Sequence, residues 1–195
     1  MIKIGVVGCG HLGEIHIKLL KKSNNFDLNG FMDNDDNKSQ EIEKKYELKR
    51  FYDLDNFSNK IDAVIIATPT AFHFNLAKFF IEQKKHVFIE KPIASTTEEA
   101  EELVLLVKKF GLIGQVGHVE RFNSAYLNVK NLLKPMFIEA HRLSHYPERG
   151  TDVSVVLDLM IHDIDIILSI VDSKIKSINA NGTKVISNNP DIVNA

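Results

Sequence analysis

The stretch "IKIGVVGCGHLGEIH", Ile2 to His16, constrains the fold of this chain more than any other. A β-rich apolar run, Ile2–Val7, ends in three glycines spaced G-x-G-x-x-G, namely Gly8, Gly10 and Gly13, and helical spacing follows from Leu12 to Lys22. Glycines at that spacing allow a tight turn and let backbone N–H groups approach a pyrophosphate at a helix N-terminus, where the helix dipole favours negative charge. A second strand, Phe26–Met32, ends at Asp33, 20 positions past Gly13. A carboxylate there accepts hydrogen bonds from adenosine ribose hydroxyls. It also repels a ribose 2′-phosphate, and the next residues, Asn34, Asp35 and Asp36, supply no arginine to receive one. NAD is therefore expected over NADP. Cys9, inside the loop, reads as a small residue that fits.

The same rhythm continues. A polar helix is expected over Lys38–Tyr46, a short third strand over Arg50–Tyr52, and a strand covered on both faces over Ile61–Ala67, "IDAVIIA". Helices are expected over Ala71–Gln83 and Thr97–Phe110, the latter with capping-box spacing from Thr96 to Glu99. His86–Ile89 and Ile113–Gly117 complete the strands. Alternating strands and helices imply a doubly wound parallel sheet, an α/β Rossmann domain over residues 1–118. Residues 119–195 read as an incomplete α+β domain, the start of an open antiparallel sheet: helix over Asn123–Leu133, strand over Phe137–Ser144, polar loop over Tyr146–Asp152, one long helix over Val155–Val171 and strand over Ser177–Ile186. A two-stranded sheet seldom stands alone, so this part is expected to be covered by another molecule or continued in a longer protein.

Composition narrows the function. A net charge of −2 argues against nucleic-acid binding through a broad basic surface. The single cysteine rules out an internal disulfide framework and fits a reducing cytoplasm, the expected location. No signal peptide is recognised at the N-terminus, and charges interrupt the one run that approaches membrane-spanning length.

In an open α/β sheet ligands bind beyond the carboxyl ends of the strands. "TPTAFH" follows one such end and "EKP" another, which brings Lys91 near the cofactor; its ammonium could polarise a hydroxyl or carbonyl, or it could be a surface lysine. In the long helix, Asp158, His162, Asp165 and Ser169 recur at i, i+4, i+7 and i+11 and so fall on one line of an otherwise apolar helix. Such a stripe faces a cavity or makes a thin wet face. Facing a cavity, His162 could take a proton from an alcohol, with Asp158 orienting the imidazole or holding a substrate hydroxyl. Asp163 lies off the stripe, as a capping or packing residue. A metal hydrolase built on His118, His141, His145 and His162 is a weaker alternative, because these histidines show no recognised zinc spacing; no metal is expected.

The segments "GCGHLGEIH", "ATPTAFH", "HVFIEKPIA" and "DLMIHDID", in this order and spacing, resemble the Gfo/Idh/MocA family of NAD(P)-dependent oxidoreductases over nearly the whole chain. The resemblance implies a Rossmann domain followed by a domain with a large, open, mostly antiparallel sheet, with Lys91, Asp158 and His162 lining the active site and the Lys91–Pro92 peptide bond in cis. It implies that His11 and Leu12 of the glycine loop, Thr68, Pro69 and His73 of "ATPTAFH", and Glu90 and Lys91 of "EKP" join Gly8, Gly10, Gly13 and Asp33 in holding NAD. "GQVGHVERFN" and "EAHRLSHYPERGTDVSVVLDLMIHDID" are similar to the bacterial UDP-N-acetylglucosamine 3-dehydrogenase branch, which oxidises the sugar 3-hydroxyl to a ketone on the way to an amino sugar of lipid A. That likeness implies a small-molecule substrate, a nucleotide sugar, and a homo-oligomer for the full-length protein, with no nucleic-acid or membrane partner. Arg121, Arg142 and Arg149 are candidate cations for its diphosphate, with Asn123, His145 and Tyr146 nearby; each could equally serve a salt bridge or the surface. The family's second domain has more strands than this chain supplies, so the alternatives are a catalytically silent NAD-binding module or a relative acting on another sugar or polyol.

Overall fold

The computed structural model describes residues 1–145, 154–187 and 189–195, and the chain divides into two compact units, Met1–Gly117 and His118–Ala195. In the first unit the strands are β1 (Ile2–Val7), β2 (Phe26–Met32), β3 (Ala63–Ile66), β4 (His86–Ile89) and β5 (Gly114–Val116), all parallel in the order β2-β1-β3-β4-β5. The helices are α1 (His11–Leu20), α2 (Asp36–Tyr46), α3 (Leu54–Ser58), α4 (His73–Glu82) and α5 (Thr97–Phe110). Order reverses between β1 and β3, the switch point at which ligands bind in doubly wound sheets.

Alternation along each strand builds two cores. Side chains of a strand point alternately to opposite faces. Val64 and Ile66 of β3 join Phe57, Phe80, Ile81, Val87, Ile89 and Leu103 on one face, whereas Ile65 joins Ile4, Val6, Ile17, Phe31 and Ile42 on the other. Both faces being covered explains why these strands read as continuous apolar runs.

Helix ends follow local chemistry. The expected capping box of α5 is present: Thr96 Oγ1 accepts from Glu99 N while Glu99 accepts from Thr96 N, and Gly111 closes the helix at φ 64°. Asp35 caps α2 by accepting from Lys38 N at 3.0 Å. α3 was not anticipated from periodicity, being only five residues long; its start is marked by Asp53, which accepts from Asn56 N at 2.8 Å. The expected strand Arg50–Tyr52 reduces to one parallel bridge, Phe31 to Arg50. The helix expected from Ala71 opens as a 3-10 turn, Thr70–Phe72, ahead of α4.

The second unit contains a 3-10 turn (Val119–Phe122), α6 (Ser124–Val129), a π-helical segment (Val156–Met160) running into α7 (Ile161–Ile170), and an antiparallel pair, β6 (Asn181–Thr183) and β7 (Ile192–Asn194). Four expectations are corrected. Residues 137–144 form no strand, because no partner strand among the described residues offers them a ladder. Of Ser177–Ile186 only Asn181–Thr183 pairs, and the helix expected to Leu133 ends at Val129. The single α-helix expected over Val155–Val171 is two segments with different hydrogen-bond patterns. The expected loop Tyr146–Asp152 lies outside the described residues. No helix of the described residues is long and apolar enough to cross a membrane.

Candidate functional site

The glycine loop is shaped by clearances that exclude side chains. Gly8 has φ 86°, and a Cβ there would lie 2.7 Å from the Ala67 carbonyl. A Cβ on Gly13 would lie 1.8 Å from Gly8 O, so α1 packs onto the loop only because that atom is missing. Gly10 differs: nothing lies within 4 Å of where its Cβ would be, which leaves open space over the N-terminus of α1 for a pyrophosphate to approach the backbone. His11 and Leu12, at the start of α1, are exposed beside that space.

Asp33, at the end of β2, is half-buried and oriented by two backbone donors. Cys9 N–H donates to its Oδ2, and Asp35 N–H donates to Oδ1 at 2.8 Å. A carboxylate offers about four acceptor positions, so capacity remains for ribose hydroxyls. Cys9 is buried, and burial with the Asp33 charge pushes its thiol up to about 12, which keeps it protonated and inert.

Sequence reading missed Arg50. Its Nη2 donates to the Asp33 carbonyl oxygen at 2.8 Å and pairs with Asp36 Oδ1 at 2.7 Å, and its guanidinium lies 4.5 Å from the Tyr52 ring centre. The only sequence signal was the β-like run over Arg50–Tyr52. An arginine thus stands near Asp33, but its charge is committed to Asp36.

The loop after β3 and the turn after β4 hold the remaining cofactor candidates. Thr68 is half-buried and Pro69 exposed. Glu90 is buried, Lys91 is half-buried, and the Lys91–Pro92 bond is cis, as the resemblance implied. Glu90 Oε1 lies 2.6 Å from His16 Nε2. His73, also expected in the cofactor site, lies between the two loops. It is 1% exposed, and its Nδ1 and Nε2 each lie 2.8 Å from a carbonyl oxygen, of Pro92 and Thr68 respectively. Its ring is occupied by the two loops.

In the second unit Asp158 lies in the π-helical segment and His162 at the start of α7, both half-buried. π-helical turns recur at functional sites. The stripe expected from a uniform 100° advance is interrupted, because the i→i+5 pattern of Val156–Met160 turns more slowly than the α-helix after it. Its far half serves internal bonding: Asp165 receives Arg121 Nε and Nη2 at 2.6 and 2.7 Å, and Ser169 Oγ lies 2.6 Å from Tyr126 Oη. Asp163 receives both Arg142 Nε and Nη2 at 2.8 Å. Each guanidinium holds its partner carboxyl below the ordinary carboxylate value. Arg121 and Arg142, expected as diphosphate cations, are thus committed to the protein's own carboxylates. Asn123 caps α6 by accepting from Ala125 N at 3.0 Å, and His145 is exposed. Arg149 and Tyr146 lie outside the described residues. An open pocket of about 360 Å³ is lined by Arg121, Tyr126, Lys130, Asn131, Ser169 and Ile170, and neither Asp158 nor His162 lines it. Among the described residues no three His, Cys, Asp or Glu side chains gather as a metal would need.

A parallel sheet with a glycine loop at its switch point and a carboxylate at the end of β2 defines a dinucleotide-binding protein. The family model described as an oxidoreductase family with an NAD-binding Rossmann fold matches residues 2–118, and the chain belongs to this family, Gfo/Idh/MocA. Its cofactor is NAD, and the loop, Gly10 clearance and Asp33 fit it. The chain is 32% identical to the UDP-N-acetylglucosamine 3-dehydrogenase of Acidithiobacillus ferrooxidans over 100% of its own length and 62% of that protein's. A crystal form of that enzyme superposes with a TM-score of 0.89 at 31% identity, covering 98% of this chain and 63% of the other. The NAD+-dependent scyllo-inositol 2-dehydrogenase of Bacillus subtilis is 32% identical over 67% of this chain and 40% of its own length. The chain therefore spans about three fifths or less of the length of these relatives.

Proposed function

We propose that the protein takes part in NAD-dependent oxidation of a sugar hydroxyl, the 3-hydroxyl of UDP-N-acetylglucosamine, to the ketone. The observation that carries this reading is the 32% identity to a UDP-N-acetylglucosamine 3-dehydrogenase along the entire chain, both units included. NAD, which the glycine loop and Asp33 would hold, would supply the hydride acceptor for the carbinol carbon. The chain's residues would handle the proton and the oxygen. His162 takes the hydroxyl proton, Lys91 donates to the oxygen and steadies its developing negative charge, and Asp158 orients the imidazole or the sugar. Gly10 would let the N–H groups at the start of α1 meet the pyrophosphate, Gly8 and Gly13 would shape the loop, and Asp33 would accept from the adenosine ribose.

Mixing the protein with NAD and UDP-N-acetylglucosamine and following the absorbance of reduced nicotinamide tests this. Reduction is expected. NAD binding with no reduction by UDP-N-acetylglucosamine, but reduction by an inositol, would move the substrate to the polyols of the Bacillus relative. A second reading, an NAD-binding unit without turnover, is favoured by the second unit, where Asp165 is the one buried residue among those described. It predicts NAD binding with no reduction by any UDP-sugar or polyol. We further propose a homo-oligomeric, cytoplasmic protein, checked by light scattering and cell fractionation.

A further inference from the structure

The turn from β2 into α2 gathers more charge than a ribose needs. Asp33 follows β2, Asp35 caps α2, and Asp36 is the first residue of α2. Two cations reach the same turn. Arg50 comes from the segment along the outer edge of β2, where Phe31 N–H donates to Lys49 O and Phe51 N–H donates to Phe31 O. Lys38 comes from the first turn of α2. Both charges are felt at Cys9, whose N–H holds Asp33. Each cation is paired with the protein's own carboxylates. Lys38 Nζ lies 2.9 Å from Glu14 and 3.1 Å from Glu41. Arg50 Nη2 carries two N–H groups. One donates to Asp33 O at 2.8 Å and the other meets Asp36 Oδ1 at 2.7 Å, so that nitrogen has no donor left. The Arg50 side chain is 6% exposed and that of Asp36 is 77% exposed, so the carboxylate stands on the solvent side of the guanidinium, where an incoming anion would approach.

We infer that Asp36 is a specificity-determining residue: its carboxylate takes the Arg50 donor that a ribose 2′-phosphate would otherwise use, so the chain selects NAD although an arginine stands beside Asp33. This adds a second selection to the repulsion by Asp33 itself. An arginine that hydrogen-bonds the main chain of Asp33 is placed as in a site for a 2′-phosphate, because guanidinium and phosphate match in charge and in paired N–H···O geometry. Here the protein's own carboxylate fills the phosphate's place. A phosphate that displaced Asp36 would leave that carboxylate unpaired beside it, and like charges at close range repel. The inference rests on the NAD reading of the glycine loop and not on the sugar of the proposed function, which plays no part in the test.

Calorimetric titrations of the 195-residue protein with NAD+ and with NADP+ give the ratio of the two dissociation constants. The parent is expected to favour NAD+ by about 100-fold or more. Asp36→Asn, an exposed and nearly isosteric change, is expected to shrink that ratio about tenfold, mainly through tighter NADP+. Adding Arg50→Gln to Asp36→Asn is expected to return the ratio to within about threefold of the parent's. Glu41→Gln removes the same charge from the next turn of α2 and is expected to leave the ratio within about twofold. A ratio that does not move in Asp36→Asn, or that moves as far in Glu41→Gln, would overturn the inference. So would a shift that survives Arg50→Gln, since Asp36 would then act by repulsion alone. If Arg50→Gln does not fold, the Arg50 Nε–H NMR signal of the 15N-labelled Asp36→Asn protein decides instead. It is expected to shift with adenosine 2′,5′-bisphosphate and not with adenosine 5′-phosphate; an equal response to both, or to neither, would overturn the role of Arg50.

Discussion

Every apolar side chain in the buried core of the described residues lies between Ile4 and Leu103, in the first unit; in the second unit Asp165 is the one buried residue among those described. The first unit is organised by apolar burial on two faces of a sheet. The second is organised by pairing: Arg121 with Asp165, Arg142 with Asp163, Tyr126 with Ser169, and the Asp191 carboxylate gathering the N–H groups of Val185, Ile186 and Ser187. Several of its apolar side chains remain exposed, Phe137 at 83% and Leu168 at 52%, and the others described are at most half-buried. The difference separates the tasks. Cofactor recognition is built into the self-sufficient unit, whereas the candidate proton-transfer pair Asp158 and His162 sits in the unit with little apolar burial of its own.

The contrast can be broken or sharpened by variants, taken from the largest expected effect downward. His162→Gln should lower turnover by about 10²–10⁴-fold while leaving NAD affinity within about twofold, as steady-state rates and NAD titrations would show. A parallel loss of NAD affinity would mean that the units are not divided by task. Phe57→Ala, at a site with no exposure, should cost about 3–5 kcal/mol in denaturant unfolding of the first unit. Gly13→Ala forces a methyl group toward Gly8 O and should destabilise by about 1–3 kcal/mol and weaken NAD severely, as calorimetry and titration would reveal.

Asp165→Asn should cost the second unit about 1–2 kcal/mol, a figure reduced because the Arg121 side chain is 47% exposed. The same pair sets a pH dependence. Arg121 holds the Asp165 carboxyl below its ordinary value of 3.8 in the folded protein, so its stabilisation is fully present above that value and is lost as pH falls through the lower folded value. Acid titration followed by resolved NMR signals of α7 should show this loss, and Asp165→Asn should flatten it. Smallest of all, Phe137→Ala should change stability by no more than about 0.5 kcal/mol in this chain. A cost comparable to that of Phe57→Ala would show that the second unit has a core after all.

Legibility from sequence followed the same division. Strands β1, β2 and β4 and helix α5 match their expected bounds because each pattern is set by its own residues: apolar runs covered on both faces, and a Thr96–Glu99 box before an amphipathic run. The strand expected near Phe137 failed because a strand exists only with a partner, and none is present among the described residues. In the site, the glycine loop and Asp33 were readable because their spacing is local. Arg50 was not, since it reaches Asp33 from 17 positions away through a single bridge with Phe31. Nor was the engagement of both His73 nitrogens, which depends on two loops meeting around one ring.

By itself the sequence determined the alternating architecture, the glycine loop and the acidic residue that ends β2, because these follow from turn geometry and periodicity within short segments. Only the tertiary structure decided which polar groups serve the protein itself and which are left for a ligand. Arg121, Arg142 and Asp165 look like site residues in a linear reading, but in the folded chain Arg121 pairs with Asp165 and Arg142 with Asp163, since a charge taken from water finds whichever partner the fold brings within reach.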